Sequence, residues 1–416
     1  EVGKGLPDTK EKNKNQSKVI PHGELDKRRA EQKKRRKRFL MLAAALLAAV
    51  FLIVFFVKGG YEKILDFLGI ERNISVTPVI TEVECKLKGE PVVAGIGATT
   101  IIYDEQGVTG YASDGKWKWN EPCTLENPVV SYCDDSVIFT DVGGTVVYAF
   151  NADGIAWRYG SDKKVKAVFG GAPGYVCIIH EETEYLSAVT VFAHQKKSSE
   201  LKELFTRKFG SHYMLTGAVS PDGKQMAVSG VYSKGGDVTG IVSFLRMSDG
   251  EIFSNEMGED AYIKTFYAGD GKMFAVNSDS VRVIYHSLTA SSKGDINQEI
   301  WNRDNGQELI TNAVLLNGKY FVASFGSVDS EKTTVKGYDT SGKESLNFEV
   351  FGNIIGMHSA GDALLLYTNK YIYLYNEKGL LIGTQEAGFE IKGAICTDSR
   401  HVAVYGEGTV LSVSFK

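Results

Sequence analysis

The feature that most constrains this fold is a unit of about 40–50 residues that repeats along the chain from residue 83 onwards. Each unit reads as a short apolar strand, a tight polar turn, a strongly apolar strand and further strand. The first strands of successive units begin near Val83, Val129, Ala167, Leu215, Ile263, Thr311, Ile354 and Ile391, at intervals of 46, 38, 48, 48, 48, 43 and 37 residues. A four-stranded sheet of this kind buries its faces only against neighbouring sheets, so the repeat predicts a ring of sheets, a β-propeller.

Two turn signatures support the repeat. In the first, a polar turn containing Gly precedes the strongly apolar strand, at Pro221–Lys224, Gly269–Lys272, Leu316–Lys319 and Ala360–Asp362. In the second, a strand ends near an aromatic residue and continues into a polar turn with Gly, at Ile101–Gly107, Val147–Gly154, Val335–Gly342 and Ile372–Gly379. Asp-Gly and Asn-Gly pairs supply the positive φ angles that tight hairpins require, so both signatures predict antiparallel hairpins.

The two ends of the repeat region predict how the ring closes. The last unit, from Ile391 to Lys416, is too short for four strands. We expect the segment Ile74–Thr81, from the other end of the repeat region, to supply the missing strand and complete the last blade. This gives an eight-bladed propeller, or seven blades if Val83–Trp119 is not an independent blade. No long stretch after Asn73 spaces its apolar residues as a helix does, so the predicted fold class is all-β with one N-terminal transmembrane α-helix.

That helix is predicted from 19 residues, Phe39 to Val57, that carry no polar side chain. At 1.5 Å per residue a helix of this length rises about 28 Å, which matches the hydrocarbon core of a bilayer. Residues 1–38 carry 14 Lys and Arg against 6 Asp and Glu, whereas residues 59–416 carry 32 against 45. Because Lys and Arg are retained on the cytoplasmic side, we predict a single-pass protein of the cell membrane with its N terminus inside and its large C-terminal body outside.

This interpretation divides the chain into four parts. We assign residues 1–38 to a basic, disordered cytoplasmic tail, residues 39–58 to the membrane-integral helix, residues 59–73 to a juxtamembrane stalk and residues 74–416 to an extracytoplasmic propeller. A cleaved secretory signal is the alternative, but it would need small residues where the sequence has Ile53–Lys58. The basic cluster is explained by the adjacent span, so we predict no nucleic-acid partner.

Turn sequences carry a family resemblance. Ser220–Lys224 is similar to the Ser-Pro-Asp-Gly-Lys turn of TolB-type and tryptophan-aspartate repeat propellers, and Asn151–Trp157 resembles the blade turn of quinoprotein-type propellers such as BamB. From residue 30 to residue 416 the order of basic tail, apolar span and repeat resembles an uncharacterised family of single-pass membrane proteins of Gram-positive bacteria with an extracytoplasmic propeller. The resemblance implies a fold more than a function, and no quinone is predicted because the docking tryptophan recurs in one unit.

The residue patterns predict neither catalysis nor a metal. His180–Glu184 lacks the second histidine of a zinc-hydrolase motif, and the seven histidines are scattered along the chain. Nucleophile elbows and phosphate-binding loops do not occur in the sequence. We therefore predict a protein that is not an enzyme, with no cofactor, no metal and no small-molecule ligand. An enzyme whose residues converge only in the fold is the alternative.

The candidate binding residues are Tyr111, Trp117 and Trp119, which precede a proline-containing loop. Aromatic side chains on loops are favoured anchors for protein partners and sugars. The alternative is that these three rings pack between neighbouring blades. Cys123 and Cys133 flank Pro128 and either close a disulfide outside the cell or remain two thiols, since spacing alone does not decide pairing.

The sequence thus predicts a tethered binding protein. The anchor would confine a rigid propeller to the membrane and raise its effective concentration near membrane partners. We expect a protein-binding scaffold for an envelope-associated assembly. A cell-wall or carbohydrate-binding module on the same anchor is the alternative.

Overall fold

The computed structural model describes residues 34, 37 and 41 and residues 76–415, apart from residues 84, 86–90, 134–135, 173, 196–197, 259–260, 289–293, 304–308 and 327–330. Contacts divide the chain into residues 1–72 and residues 73–416. The predicted tail, transmembrane helix and stalk lie outside the described residues, apart from residues 34, 37 and 41. Within the part of the chain that the structure describes, no helix has the length and apolarity needed to span a bilayer.

The described residues from 76 to 415 form eight four-stranded antiparallel sheets, the blades, from 32 strands. Strand β1 (Val79–Glu82) belongs to blade 8. Blades 1 to 3 contain β2 (Val92–Ile96), β3 (Thr99–Asp104), β4 (Gly107–Ala112) and β5 (Trp117–Glu121); β6 (Pro128–Cys133), β7 (Ser136–Asp141), β8 (Val146–Asn151) and β9 (Gly154–Gly160); and β10 (Val165–Phe169), β11 (Tyr175–Glu182), β12 (Tyr185–His194) and β13 (Leu201–Phe209).

The remaining blades follow in the same order. Blades 4 and 5 contain β14 (His212–Val219), β15 (Gln225–Lys234), β16 (Asp237–Arg246) and β17 (Ile252–Gly258), then β18 (Lys264–Tyr267), β19 (Met273–Val276), β20 (Ser280–Tyr285) and β21 (Ile296–Asn302). Blades 6 and 7 contain β22 (Leu309–Leu316), β23 (Tyr320–Gly326), β24 (Lys332–Tyr338) and β25 (Glu344–Phe351), then β26 (Gly356–Ala360), β27 (Ala363–Tyr367), β28 (Tyr371–Asn376) and β29 (Leu381–Glu386). Blade 8 contains β30 (Gly393–Cys396), β31 (His401–Gly406) and β32 (Thr409–Ser414), with β1 as its fourth strand.

The ring closes as predicted, and it has eight blades. β1 pairs antiparallel with β32, from Val79 opposite Ser414 to Glu82 opposite Leu411. The predicted start of the first unit at Val83 is wrong, because the N–H of Val83 donates to the carbonyl of Val410 at 2.9 Å and so continues the pairing with blade 8. Blade 1 begins nine residues later, at β2.

The core consists of eight apolar clusters, each lying between two neighbouring blades. Phe139 and Phe150 of blade 2 pack with Ile101 of blade 1, for example, and all three side chains are buried. The first strands of the blades contact one another around a central channel. Each sheet is covered on both sides only inside the ring. The apolar strand residues that repeat along the sequence are therefore the residues that form the core.

Two faces of the ring follow from the strand order. The turn face carries the hairpins that join first to second and third to fourth strands, such as Ser220–Lys224 and Asp339–Lys343. The loop face carries the second-to-third loops and the connections between blades, such as residues 352–355. The predicted turn at Ile101–Gly107 is misplaced, because it joins the second and third strands of blade 1. The matching third-to-fourth turn of that blade is Ser113–Lys116.

Glycine in the third-to-fourth turns has a packing role. A Cβ on Gly250 of blade 4 would lie 2.5 Å from the ring of Phe205 in blade 3, and one on Gly379 of blade 7 would lie 3.2 Å from the ring of Phe348 in blade 6. Both glycines have positive φ angles, +71° and +76°. In blades 4 and 7 the third-to-fourth turn therefore sits on an outer-strand aromatic residue of the preceding blade.

Candidate functional site

The three predicted aromatic residues do not form one cluster. Tyr111 is 7% exposed and packs between blades 8 and 1. Trp119 stacks on Phe150 of blade 2 with ring centroids 5.6 Å apart, and its Nε1 donates to the carbonyl of Ala152 at 3.1 Å. Trp117 is 63% exposed. Packing between blades, the alternative prediction, thus describes Tyr111 and Trp119, and the structure leaves Trp117 alone at the surface.

The two candidate disulfide cysteines are thiols in the structure. Cys123 packs against the cluster between blades 1 and 2, whereas Cys133 is buried between blades 2 and 3, where its Sγ lies 3.0 Å from the carbonyl oxygen of Tyr175. Cys123 precedes strand β6 and Cys133 ends it, and the structure does not bring the two sulfur atoms together. Burial raises the pKa of Cys123 to about 11, which keeps this thiol protonated at neutral pH.

The loop face carries most of the exposed large apolar side chains of the described residues. Five of them lie in, or directly before, the first strands of blades 2, 4, 5, 6 and 7, and we call them the channel rim: Val129, Leu215, Ile263, Leu309 and Ile355. First strands enter the ring at the loop face, so these side chains surround the mouth of the central channel. Leu215 lies at a bulge between Met214 and Thr216 and has no cross-strand partner, which turns it out of the regular ladder.

Further exposed apolar residues extend the surface outward from the channel rim. They lie at the loop-face ends of strands or in the loops themselves: Val142, Tyr185, Leu186, Val238, Met257, Phe351 and Tyr371. Phe351 is 73% exposed, and the ammonium group of Lys332 lies 5.2 Å from its ring centroid. Apolar side chains that are concentrated on one face mark an interaction surface more often than scattered ones do.

Below the rim, the channel contains a cavity of about 770 Å³. Its walls are the first strands of blades 2 to 6 and the turns that follow them towards the turn face, and residues such as Val130, Phe169, Phe266 and Leu315 make them largely apolar. Lys264 is the one charged residue among the described residues that line it. A concave apolar cavity with few polar groups is the usual form of a ligand-binding site.

Lys264 projects into this cavity from β18. Its Nζ donates to the carbonyl oxygen of Ala313 in blade 6 at 3.1 Å. The surrounding channel wall lowers the pKa of Lys264, and burial is the cause of that shift. Among the described residues no carboxylate pairs with the ammonium group, so its charge is balanced by no neighbour within the channel.

On the other side of the channel, Tyr132 of blade 2 contacts His358 of blade 7, with ring centroids 5.5 Å apart. The Nδ1 of His358 accepts a hydrogen bond from the N–H of Cys396 at 3.2 Å, and burial lowers the pKa of the imidazole to about 4. Burial also raises the pKa of the Tyr132 phenol to about 12. This contact fills the channel near blades 1, 7 and 8 and leaves the cavity beside blades 2 to 6.

Other ionisable groups do not gather at the channel. Where the structure describes the chain, no group of three or more His, Cys, Asp or Glu residues has the arrangement of a metal site. His286 lies between two carboxylates, 2.8 Å from Glu256 and 3.3 Å from Asp295, and joins blades 4 and 5 away from the channel. Neither the channel rim nor Lys264 was predicted from the sequence, although the unit starts predicted at Val129, Leu215 and Ile263 are rim residues.

Solved structures with a similar fold are propellers. Sqt1 from Saccharomyces cerevisiae aligns with a TM-score of 0.56 at 11% identity, covering 81% of this chain and 98% of that one. Sqt1 from Chaetomium thermophilum, bound to the N-terminus of ribosomal protein L10, gives 0.54 at 10% identity, with 82% and 100% covered. BamB from Moraxella catarrhalis gives 0.50 at 13% identity, with 81% and 100% covered. At these identities the likeness shows the fold alone.

Sequence comparison adds the family. No curated protein matches the chain in sequence. A family profile, described as a family of unknown function, matches residues 71–415, which include the whole propeller. The chain therefore belongs to the family of unknown function DUF5711.

Proposed function

We propose that this protein is a membrane-tethered propeller that holds a protein partner on its loop face, outside the cytoplasm. The observation that carries the proposal is the apolar surface formed by the channel rim and its extension to Phe351 and Tyr371. Interfaces are centred on apolar and aromatic anchors, and this surface supplies them in one place. The protein acts by binding, without catalysis, in an envelope-associated assembly.

Three further points support the proposal. The apolar run Phe39–Val57 and the charge asymmetry around it favour an anchor with the propeller outside, as in a Gram-positive cell membrane. Val76, near the start of the propeller, donates its N–H to the carbonyl of Ile382 at the turn-face end of blade 7. The described chain therefore enters the ring at the turn face, opposite the loop face. Among structural neighbours, a Sqt1 propeller was solved with a peptide segment of another protein bound.

Photo-crosslinking in the native cell tests the proposal. A benzoylphenylalanine residue placed at Phe351 or Ile263 on the loop face should capture one discrete protein. The same residue at Trp117, which is comparably exposed on the opposite side of the ring, is the matched control and should not capture it. Capture of the same mixture of proteins from both faces, or capture of the protein from Trp117 alone, would contradict the proposal.

A cell-wall glycan ligand is the second candidate, and Trp117 is the observation that favours it. Exposed indole rings stack on sugars, and Trp117 lies on the outermost strand of blade 1. Binding of purified wall glycan that is abolished by Trp117→Ala and unaffected by Phe351→Asp would favour this function over the protein scaffold. The reverse result would favour the scaffold.

A further inference from the structure

We propose that the central channel receives a single carboxylate group from the bound protein, with Lys264 as its counter-ion. The inference deepens the proposed function and rests on it, because the carboxylate belongs to a peptide segment of the partner. The segment lays its apolar side chains on the channel rim and directs its C-terminal carboxylate into the cavity below.

The described wall of the cavity carries one charged side chain, that of Lys264. An ammonium group has three N–H donors, and Lys264 uses one of them on the carbonyl of Ala313. The other donors have no carboxylate acceptor among the residues described. Lys264 remains open to the channel, so a carboxylate that arrives there can accept charge-assisted hydrogen bonds from the remaining donors.

Strand β18 carries a pair of buried hydroxyl groups in addition to Lys264. Thr265 and Tyr267 line the cavity beside Lys264, and both side chains are more than nine-tenths buried. Neither the Thr265 hydroxyl nor the Tyr267 hydroxyl has a hydrogen-bond partner among the described residues. Both hydroxyl groups are closed to solvent, so Lys264 is the accessible side-chain donor that β18 offers to a group entering the cavity.

The single cation in the described cavity lining favours a carboxylate over a phosphate as the bound anion. Phosphate carries close to two negative charges and is held by several donors, commonly with arginine. The described lining of the cavity offers one cation and no arginine, while its walls are apolar. One positive charge in apolar surroundings matches one carboxylate flanked by aliphatic groups.

Lys264 lies next to residues of the channel rim. Ile263 precedes Lys264 directly and is 60% exposed at the mouth of the channel. Leu309 opens the first strand of blade 6, the strand whose Ala313 accepts the lysine hydrogen bond. A peptide that covers the rim is therefore within reach of the ammonium group, which a flat surface site would not achieve.

Twin peptides test the inference on the full-length chain in detergent micelles. The probes are an N-acetylated hexapeptide of sequence Gly-Ser-Gly-Leu-Val-Leu with a free C-terminal carboxylate and its C-terminal amide. We expect the acid to bind at least about tenfold more tightly, the ratio given by about 1.4 kcal/mol from a charge-assisted hydrogen bond. Equal affinities, or no binding of either peptide, would overturn the inference.

Lysine variants locate the effect. Lys264→Met should remove the preference for the acid, and Lys264→Arg should retain it. Lys272→Met is the matched control, because Lys272 lies on the turn face of the same blade and pairs with Asp270 at 2.9 Å. Loss of the preference in Lys272→Met but not in Lys264→Met would contradict the assignment. Displacement of the acid peptide by inorganic phosphate at equal concentration would also overturn it, because it would assign the site to phosphate.

A chemical readout needs no substitution. Acetic anhydride modifies lysines with a lowered pKa readily, and mass spectrometry reports the extent at each lysine. The acid peptide should protect Lys264 and the amide twin should not; equal protection would count against the site. If the twins differ but the loop-face crosslinks fail, the channel site stands and the scaffold function fails. If the crosslinks succeed and the twins do not differ, the channel site alone fails.

Discussion

The two faces of the propeller differ in whether their large apolar side chains are packed or exposed. Near the turn face, outer-strand aromatics such as Trp119, Phe205 and Phe348 pack beneath a turn of the following blade. On the loop face, Phe351 and the channel rim remain exposed. The contrast shows that exposure on the loop face is not a general property of the fold, because the same chain buries equivalent residues elsewhere.

The turn face is not wholly without exposed apolar residues. Val79, Ile80, Trp117 and Ile155 are exposed there, and all four lie in outermost strands of blades 8, 1 and 2. They occupy one part of the outer edge, whereas the loop-face residues surround the channel mouth and continue outward. The difference in location favours the loop face as the surface for a partner.

The largest expected effect comes from glycine on the turn face. Gly250→Ala places a Cβ against Phe205 and keeps a left-handed φ, so we expect a loss of about 3 kcal/mol in the free energy of unfolding. Gly236→Ala, on the loop face of the same blade, has a positive φ of +101° with open space around it and should cost about 1 kcal/mol. Denaturant unfolding measures both. Equal losses in the two variants would show that the turn face is no better packed than the loop face, contrary to the structure.

A second test compares exposed and packed aromatics. Trp119→Ala removes a ring stacked on Phe150 and a hydrogen bond to Ala152, and should lower the free energy of unfolding by about 2–3 kcal/mol. Phe351→Ala and Trp117→Ala should each change it by less than about 0.5 kcal/mol. Thermal unfolding of the three variants measures the differences. A large loss in Phe351→Ala would show that this ring is structural.

His358, in the central channel, should make the stability of the protein depend on pH. His358 is neutral in the folded protein, because burial lowers its pKa from 6.5 to about 4. As pH falls below 6.5, the unfolded chain binds a proton that the folded chain does not, so stability decreases until the pH reaches about 4. We expect a loss of about 2 kcal/mol between about pH 7.5 and pH 5.

His358→Gln is the control for that loss. Glutamine retains polar atoms near Cys396 and does not titrate, so this variant should show a smaller decrease over the same range. Denaturant titrations at several pH values provide the measurement. An unchanged pH dependence in the variant would assign the effect to other groups.

The substitution with the smallest expected effect on stability, Phe351→Asp, should have a large effect on partner binding. Phe351→Asp should leave the free energy of unfolding within about 0.5 kcal/mol of the original, because the side chain is largely in solvent. The same change should abolish crosslinking from Ile263 to the protein partner. A variant that keeps the crosslink would limit the binding surface to the channel rim.

The fold could be predicted from the sequence because its determinants are local. Turn sequences such as Ser220–Lys224 and Asn151–Gly154 fix hairpins within a few residues, and the period of the units follows from them. The start of blade 1 was missed because Val83 is apolar and strand-like, yet it pairs with Val410 from the other end of the chain. That contact depends on how far the pairing of the closing strand continues beyond Thr81, which no local pattern indicates.

The candidate site was harder to predict for a related reason. Trp119 and Tyr111 look alike as exposed aromatics in sequence, and only the neighbouring blade decides that both are packed. The rim residues Val129, Leu215 and Ile263 were read as strand residues, which they are or adjoin, without a sign that they remain exposed. Lys264 becomes distinctive through its surroundings in the channel, which are drawn from five blades.

The most direct test of the account is cysteine labelling of intact cells with a membrane-impermeant maleimide. Phe351→Cys and Trp117→Cys place one new thiol on each side of the ring, and the chain without either substitution gives the background from its own cysteines. In the purified protein both new thiols should react. On intact cells we expect the cysteine at 117 to react and the one at 351 to be protected by the partner. Equal labelling at both positions, or labelling of neither until the cells are lysed, would contradict it.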